Sequence, residues 1–344
     1  MTTPPALTAH IATARANSNL ALIKYWGNRS DALRLPANGS ISIGLAGLFT
    51  ITTVAFRADL TADQITIEEQ RAPEQAAARV SHHLDHVRQL AGVTQRAEVT
   101  SRNNFPTGAG IASSASAFAA LTLAAATALQ LSLTERELSA IARLGSGSAS
   151  RSIPGGYVEW HVGDRHSDSY AETIAPPDHW ALCDLIAVVS RAHKSTGSTE
   201  GHAIAATSPF QVARVAGAVE RLAICRKAIL DRDFDALAAI AEVDSTLMHA
   251  VMMTGTPALF YWQPATLAVM ESVRTWRSAG IPVFYTIDAG ANVHCLCPAA
   301  QADAIAGRLK AIPGVTDVLR ALPGGPAEVI DKADEVIAHG NPHP

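Results

Sequence analysis

The sequence has no excess of positive charge. Its 27 lysines and arginines against 31 aspartates and glutamates leave a net charge of -4. A general nucleic-acid binder would show a basic face, so that class is disfavoured, although local cationic pockets stay open. Charge is scarce altogether, at 17% of 344 residues against 48% hydrophobic, which excludes a disordered chain and allows large buried cores. The four cysteines, Cys183, Cys225, Cys295 and Cys297, form no CxxC pair. Neither a zinc knuckle nor a disulfide framework is favoured, and a reducing cytoplasm fits. Thirteen histidines show no HExxH spacing, and no metal site held by protein side chains is expected. The longest apolar run, 115–133, is rich in Ala and Thr and sits in an otherwise soluble pattern. It reads as a buried helix, with no membrane span expected. The first nineteen residues lack a basic segment followed by an apolar core, so no signal peptide is expected. Internal repeats and low-complexity tracts are also missing.

The length suggests two domains, 1–180 and 181–344. "SISIGLA" and "TITTVAF" alternate as half-buried strands do, and "AEVTSRN" follows as a third. "PEQAAARVSHHLDHVRQLAG" has helical spacing and stops at Gly92. An Ala-rich helix is expected near 114–130. "TERELSAIARLGSG" predicts a helix with Thr134 as N-cap and Glu137 at the capping-box position. "GGYVEW" reads as a strand and "WALCDLIAVVS" as a buried strand. Helices follow near 207–231, 233–250 and 264–279, then strands at "PVFYTID" and "NVHCLCP", a helix near 299–311 and a strand at "VTDVLRAL". The mixed order predicts α+β layers.

Four segments could carry chemistry. In "PTGAGIASSASA", 106–117, Gly108 and Gly110 let the backbone approach a ligand. The loop opens a helix whose free N–H groups attract anions, with hydroxyls from Ser113 and Ser114. No Walker lysine follows, so this is a different kind of phosphate cradle or a plain helix cap. In "GSGSASRSIPGGYVEW", Arg151 among hydroxyls suits a two-pronged grip on a carboxylate or phosphate, or is a solvated turn residue. In "FYTIDAGANVH", Asp288 ends an apolar strand, as a base in a cleft or as part of an ordinary turn. In "SRAHKSTGSTEGH", Lys194 could meet phosphates, or the loop is simply exposed. Cys295, Cys297 and His294 read as core.

Together, "NSNLALIKYWGNR", "LPANGSISIGL", "NNFPTGAGIASSASAFAAL", "GSGSASRSIPGGYVEW", "MHAVMMTGTPALFYW" and "TIDAGANVH" resemble the motifs of mevalonate diphosphate decarboxylases. These belong to the GHMP kinase superfamily, and the match runs in order over about residues 9–298. The resemblance implies a two-domain α+β fold. An N-terminal ribosomal-S5-like domain and a C-terminal ferredoxin-like domain would flank the active-site cleft. It also implies ATP with Mg²⁺, a cytoplasmic isoprenoid enzyme and a homodimer. The implied reaction phosphorylates the C3 hydroxyl of a phosphorylated mevalonate, then loses phosphate and CO₂.

By the same resemblance, Asp288 matches the catalytic aspartate and Lys24 the active-site lysine. Arg151 matches the residue that holds the substrate carboxylate. Pro106, Gly108, Gly110, Ser113 and Ser114 match the ATP phosphate loop; Lys194, read from its own polar loop and not from the resemblance, is expected as a further phosphate contact. Asn19, Tyr25, Ser146 and Ser148 match substrate contacts, while Trp26 reads as packing. In the diphosphate-specific family a lysine usually follows KYWG, and an arginine tends to sit in the later Ser-rich loop. Here Asn28 and Ser198 or a neighbour occupy those places. The missing cations favour 5-phosphomevalonate as substrate over the diphosphate, unless Arg29 or Arg191 substitutes. A mevalonate-type kinase without decarboxylation, and a non-catalytic nucleotide-binding protein, are the remaining alternatives.

Overall fold

The computed structural model describes residues 10–105, 113–192 and 196–331, leaving aside the side chains of Ser198 and Thr199. The N-terminal part is organised by two long antiparallel strands, His10–Ile23 and Ser40–Arg57. "SISIGLA" and "TITTVAF", expected as separate strands, are thus one strand. The register shifts between Asn17 and Ser18, opposite Phe49 and Leu45, and Gly47 takes φ 87° in that bulge. A bulge bends a ladder without ending it, and glycine adopts this backbone at little cost. Strand Arg96–Asn103 pairs along the outer half of Ser40–Arg57, and Tyr157–Trp160 along its first residues. The Ser113–Ala128 helix packs across both long strands. Its alanines bring the backbones close, and Ala119, Ala120, Ala124 and Ala125 are fully buried. The Glu135–Gly145 helix begins at Thr134 with the expected capping box, and Glu74–Ala91 ends at a left-handed Gly92.

The C-terminal part is a four-stranded antiparallel sheet in the order Phe284–Thr286, Val293–Pro298, Leu182–Val188, Asp317–Pro323. Helices precede and separate these strands, giving the βαββαβ arrangement of a ferredoxin-like unit. The Leu182–Val188 strand is buried at every residue, as suits a mostly apolar strand covered on both faces, and its one charged side chain, Asp184, lies 2.7 Å from His294 Nδ1. The helix expected over 207–231 is broken at Gly217 into Gln211–Ala216 and Ala218–Asp231. "PVFYTID" pairs only through Thr286, so Ile287 and Asp288 run on beyond the sheet.

The two sheets are one. Leu322 and Pro323 pair with Ala46 and Leu45 of the long N-terminal strand. The chain then crosses back, and Glu328–Ile330 pairs with Thr13–Arg15. A core of Leu20, Leu22, Ile23, Ile41, Ile43, Ile186, Ile229, Leu237 and Phe284 spans both parts. Each such side chain contributes about 1.5–3 kcal/mol on burial. The Phe234–Thr254 helix is long and apolar enough to cross a membrane. Its buried Glu242, Asp244 and His249, and its place in this core, make it an internal helix instead.

Candidate active site

Lys24 is the residue after the end of strand His10–Ile23, where a rigid element delivers it into the interior. It is 1% exposed and faces Asp288, which is 23% exposed, with Nζ 2.5 Å from Oδ1. Lys24 Nζ also donates to Ala21 O at 2.7 Å. Burial lowers the Lys24 ammonium from its ordinary value, against the pull of Asp288 and Asp244 upward. Burial alone would raise the Asp288 carboxyl. The charges of Lys24 and His294 outweigh that effect and hold it below the usual carboxylate value. An ionised carboxylate beside a buried ammonium, open on one side to solvent, can accept a proton from a hydroxyl placed against it.

Arg151 lies on the 3-10 turn Gly147–Ser152 and is 3% exposed. Its Nη1 donates to Ser40 Oγ at 2.6 Å and its Nη2 to Asn19 Oδ1 at 3.2 Å, while buried Nε has no protein partner. Burial pushes its pKa down to about 10, with Asp288 and Tyr25 opposing, so it remains a cation near neutrality. Asn19 is fixed in turn by donating to Ser148 O at 3.2 Å and Ser152 Oγ at 2.8 Å. Ser146 Oγ lies 3.2 Å from Ser114 Oγ and 3.4 Å from Ser148 Oγ, tying the start of the Ala-rich helix to the Arg151 turn. Gly147 is needed there because a Cβ would meet the Tyr25 ring at 2.6 Å.

Tyr25 packs edge-on to Trp160 with centroids 4.7 Å apart, and stacks on His202 at 4.1 Å. Its hydroxyl donates to Asn28 Oδ1, and Asn28 Nδ2 donates to Asp31 Oδ1 at 2.9 Å. Trp26 is packing, as expected, among Ile204, Met248, Val251, Met252 and Leu259. His202 Nδ1 accepts from Gly27 N at 2.9 Å. The structure therefore gathers Asn19, Lys24, Tyr25, Asn28, Ser114, Ser146, Ser148, Arg151 and Asp288 around one region, with Ser113 one residue from Ser114. Ser198 opens the Ser198–Ile204 helix. Pro106, Gly108, Gly110 and Lys194 lie outside the described residues.

Two cations that the sequence offered as replacements at the Asn28 end are engaged elsewhere. Arg29 donates to Asp164 Oδ1 at 3.0 Å, Gly163 O at 2.6 Å and Pro36 O at 3.2 Å. Arg191 pairs with Asp317 at 2.8 Å.

Sequence reasoning missed a buried set that grips the Lys24–Trp26 backbone. Asp244 Oδ2 accepts from Lys24 N at 2.6 Å, and Oδ1 from Arg221 Nε at 2.6 Å. Arg214 Nη2 and Asn38 Nδ2 donate to Lys24 O at 2.7 and 3.0 Å, and Gln211 Nε2 to Trp26 O at 2.9 Å. A usable signal was there: Glu242, Asp244, Ser245 and His249 interrupt a mostly apolar helix. Buried polar groups need partners, so such residues point to a network.

Two packed lobes of α+β structure, with these motifs facing one another between them, define a GHMP kinase fold. The description "Diphosphomevalonate decarboxylase-like N-terminal domain" matches residues 16–171, and "Mevalonate 5-diphosphate decarboxylase C-terminal domain" matches 184–339. The diphosphomevalonate decarboxylase mvd1 of Aspergillus fumigatus is 37% identical over 97% of this chain and 91% of its own length. The phosphomevalonate decarboxylase of Haloferax volcanii is also 37% identical, over 95% of this chain and 99% of its own. A solved structure of MDDEF in complex with MVAPP, AMPPCP and magnesium superposes with a TM-score of 0.89 at 35% identity, covering 94% of this chain and all of that one. The chain belongs to the mevalonate diphosphate decarboxylase family.

Proposed function

We propose that this protein is an ATP-dependent decarboxylase that prefers 5-phosphomevalonate, giving isopentenyl phosphate, CO₂, ADP and phosphate. The observation that carries the substrate choice is the Asn28 end of the site. Asn28 is neutral and held between the Tyr25 hydroxyl and Asp31. Arg29 is committed to the Gly163–Asp164 turn by two hydrogen bonds and to Pro36 O by a third. A second phosphate would bring more negative charge towards the Asp31 carboxylate, with two of the expected cations replaced or turned away. Charge-assisted bonds to such a group are worth roughly 1.5–3 kcal/mol each, so their loss weighs against the diphosphate. The similarity to the Aspergillus and Haloferax enzymes is equal at 37%, so it is these residues that favour the monophosphate.

In this reading Asp288 accepts the proton of the C3 hydroxyl as that oxygen attacks the terminal phosphate of ATP. Lys24 holds Asp288 ionised and aligned, and offers positive charge as the oxygen becomes anionic. Arg151 holds the substrate carboxylate, with its unpartnered Nε among the available donors, so that the C–C bond to be broken stays aligned with C3. Tyr25 and Trp26 shape and dry the site. Bound MgATP supplies the phosphoryl group that turns the C3 oxygen into a leaving group. Ser113 and Ser114 would hold its phosphates, at the start of a sixteen-residue helix whose first turn carries no acidic residue. We also place the protein in the cytoplasm as a homodimer, supported by the family likeness alone.

The deciding experiment measures kcat/KM for mevalonate, 5-phosphomevalonate and 5-diphosphomevalonate in parallel, with CO₂ and ADP followed together. A clear preference for 5-phosphomevalonate with equal CO₂ and ADP is expected. Preference for the diphosphate would end the monophosphate reading, and ADP without CO₂ would point to a kinase.

A further inference from the structure

Lys24 and Asp288 are 264 residues apart and neither lies in a regular strand or helix. Lys24 has just left one strand, and Asp288 lies two residues past another. Their 2.5 Å contact needs both backbones fixed, and a single turn of the Phe234–Thr254 helix reaches both. Asp244 accepts the Lys24 backbone N–H at 2.6 Å. The next residue, Ser245, grips Ile287 twice: Ile287 N donates to Ser245 Oγ at 2.9 Å, and Ser245 Oγ donates to Ile287 O at 3.1 Å. One turn further on, buried His249 lies against Trp262, with ring centroids 4.8 Å apart.

Asp244 and Ser245 are 0% and 1% exposed, so water does not compete for these bonds. Asp244 is itself held by Arg221, whose Nη2 donates to Arg214 O at 2.6 Å, while Arg214 donates to Lys24 O. The loop that carries Lys24 is thus clasped at both its N–H and its C=O. Neither Asp244 nor Ser245 touches the region where substrate would lie, so neither is a catalytic residue.

We propose that Asp244 and Ser245 are the positioning residues of the Lys24–Asp288 pair, acting as one fixture that sets the separation of two groups delivered by different lobes. The proposal rests on the reading of Lys24 and Asp288 as the reacting pair. Asp244 has a second effect. The charged and titratable groups facing Lys24 are Asp288, Asp244 and His249, Arg151 on its 3-10 turn, and Arg214 on the neighbouring helix. Of these only Asp288 and Asp244 are anionic, and both favour the ammonium.

The test compares Asp244→Asn, Ser245→Ala and Asp288→Asn with the parent enzyme on 5-phosphomevalonate and 5-diphosphomevalonate. An asparagine at 244 can accept with one atom only, so either Lys24 N–H or Arg221 loses its acceptor. A misplacement of about 1 Å costs up to roughly 100-fold in rate, so both positioning variants should lose about 10- to 100-fold in kcat on the preferred substrate, with KM for ATP little changed. The alkaline limb of the pH–rate profile should move to lower pH in Asp244→Asn, which removes a negative charge beside Lys24, and stay in place in Ser245→Ala. A general loosening of the fold would not separate the two profiles in this way. If Asp244→Asn lacks the native circular dichroism spectrum, Ser245→Ala decides: reduced kcat supports the proposal and parental kcat overturns it. An inactive Asp288→Asn beside folded, fully active positioning variants overturns this role alone. Near-parental turnover of Asp288→Asn overturns the reacting pair itself.

Discussion

Replacing Asn28 with lysine tests the substrate assignment by restoring a cation where the family usually carries one. The ammonium would gain a charge-assisted bond to a distal phosphate, worth roughly 1.5–3 kcal/mol. Two features of the site reduce that gain. Asp31 Oδ1 lies 2.9 Å from Asn28 Nδ2 and would compete for the new charge, as an exposed pair worth about 0–1 kcal/mol. The Tyr25 hydroxyl would lose its acceptor, which weakens the site for either substrate alike. The net gain specific to the diphosphate is then about 1–2 kcal/mol, roughly a 5- to 30-fold rise in its kcat/KM relative to the monophosphate. Adding Asp31→Asn frees the ammonium and should enlarge the shift. The assay is kcat/KM for both substrates from ADP release, with CO₂ measured to confirm full turnover. An unchanged ratio in both the single and the double variant would show that this end of the site does not read the second phosphate.

Arg151→Lys should reduce decarboxylation far more than ATP binding, because a point charge cannot reproduce the bonds to Ser40 and Asn19 and also grip a carboxylate; single-turnover CO₂ release and nucleotide titration separate the two, and a rise confined to KM for ATP contradicts the placement. His83 is buried, its Nε2 is 2.8 Å from Thr122 Oγ1, and burial lowers its pKa from 6.5 to about 3. Its folded pKa lies below its unfolded one, so its stabilising contribution is present above pH 6.5 and is lost as pH falls towards the folded value. Between pH 7 and 5 that loss is about 2 kcal/mol, and denaturant melts of His83→Leu should show a correspondingly flatter pH dependence over this range.

Much of the fold was legible because its signals are local. The Thr134–Glu137 capping box, the Gly92 stop and the mostly apolar run at 182–188 each need only neighbours in sequence to be read. Lys24, Arg151 and Asp288 were legible as a set because each sits in a short, distinctive motif. The residues that hold them were not. Asp244 lies 220 positions from Lys24, and one aspartate in an apolar helix does not name its partner. The fate of Arg29 was hidden for the same reason, since its acceptors at Gly163 and Asp164 belong to a distant turn. The division of "SISIGLAGLFTITTVAF" into two strands failed at Gly47, where glycine makes a bulge and the neighbouring strand carries the ladder through.

The pairing of Leu322 and Pro323 with Ala46 and Leu45, followed by the return of Glu328–Ile330 to the first strand, makes the architecture a poor source of interchangeable parts. A lobe excised near residue 180 would carry away a ladder edge that its neighbour had covered. It would also lose the closing strand that belongs to the opposite half. Recombining such halves from divergent relatives would have to match hydrogen-bond register across the seam as well as shape. Inheritance and engineering alike are therefore constrained to treat the chain as a single piece, in which change enters through the loops that ring the site.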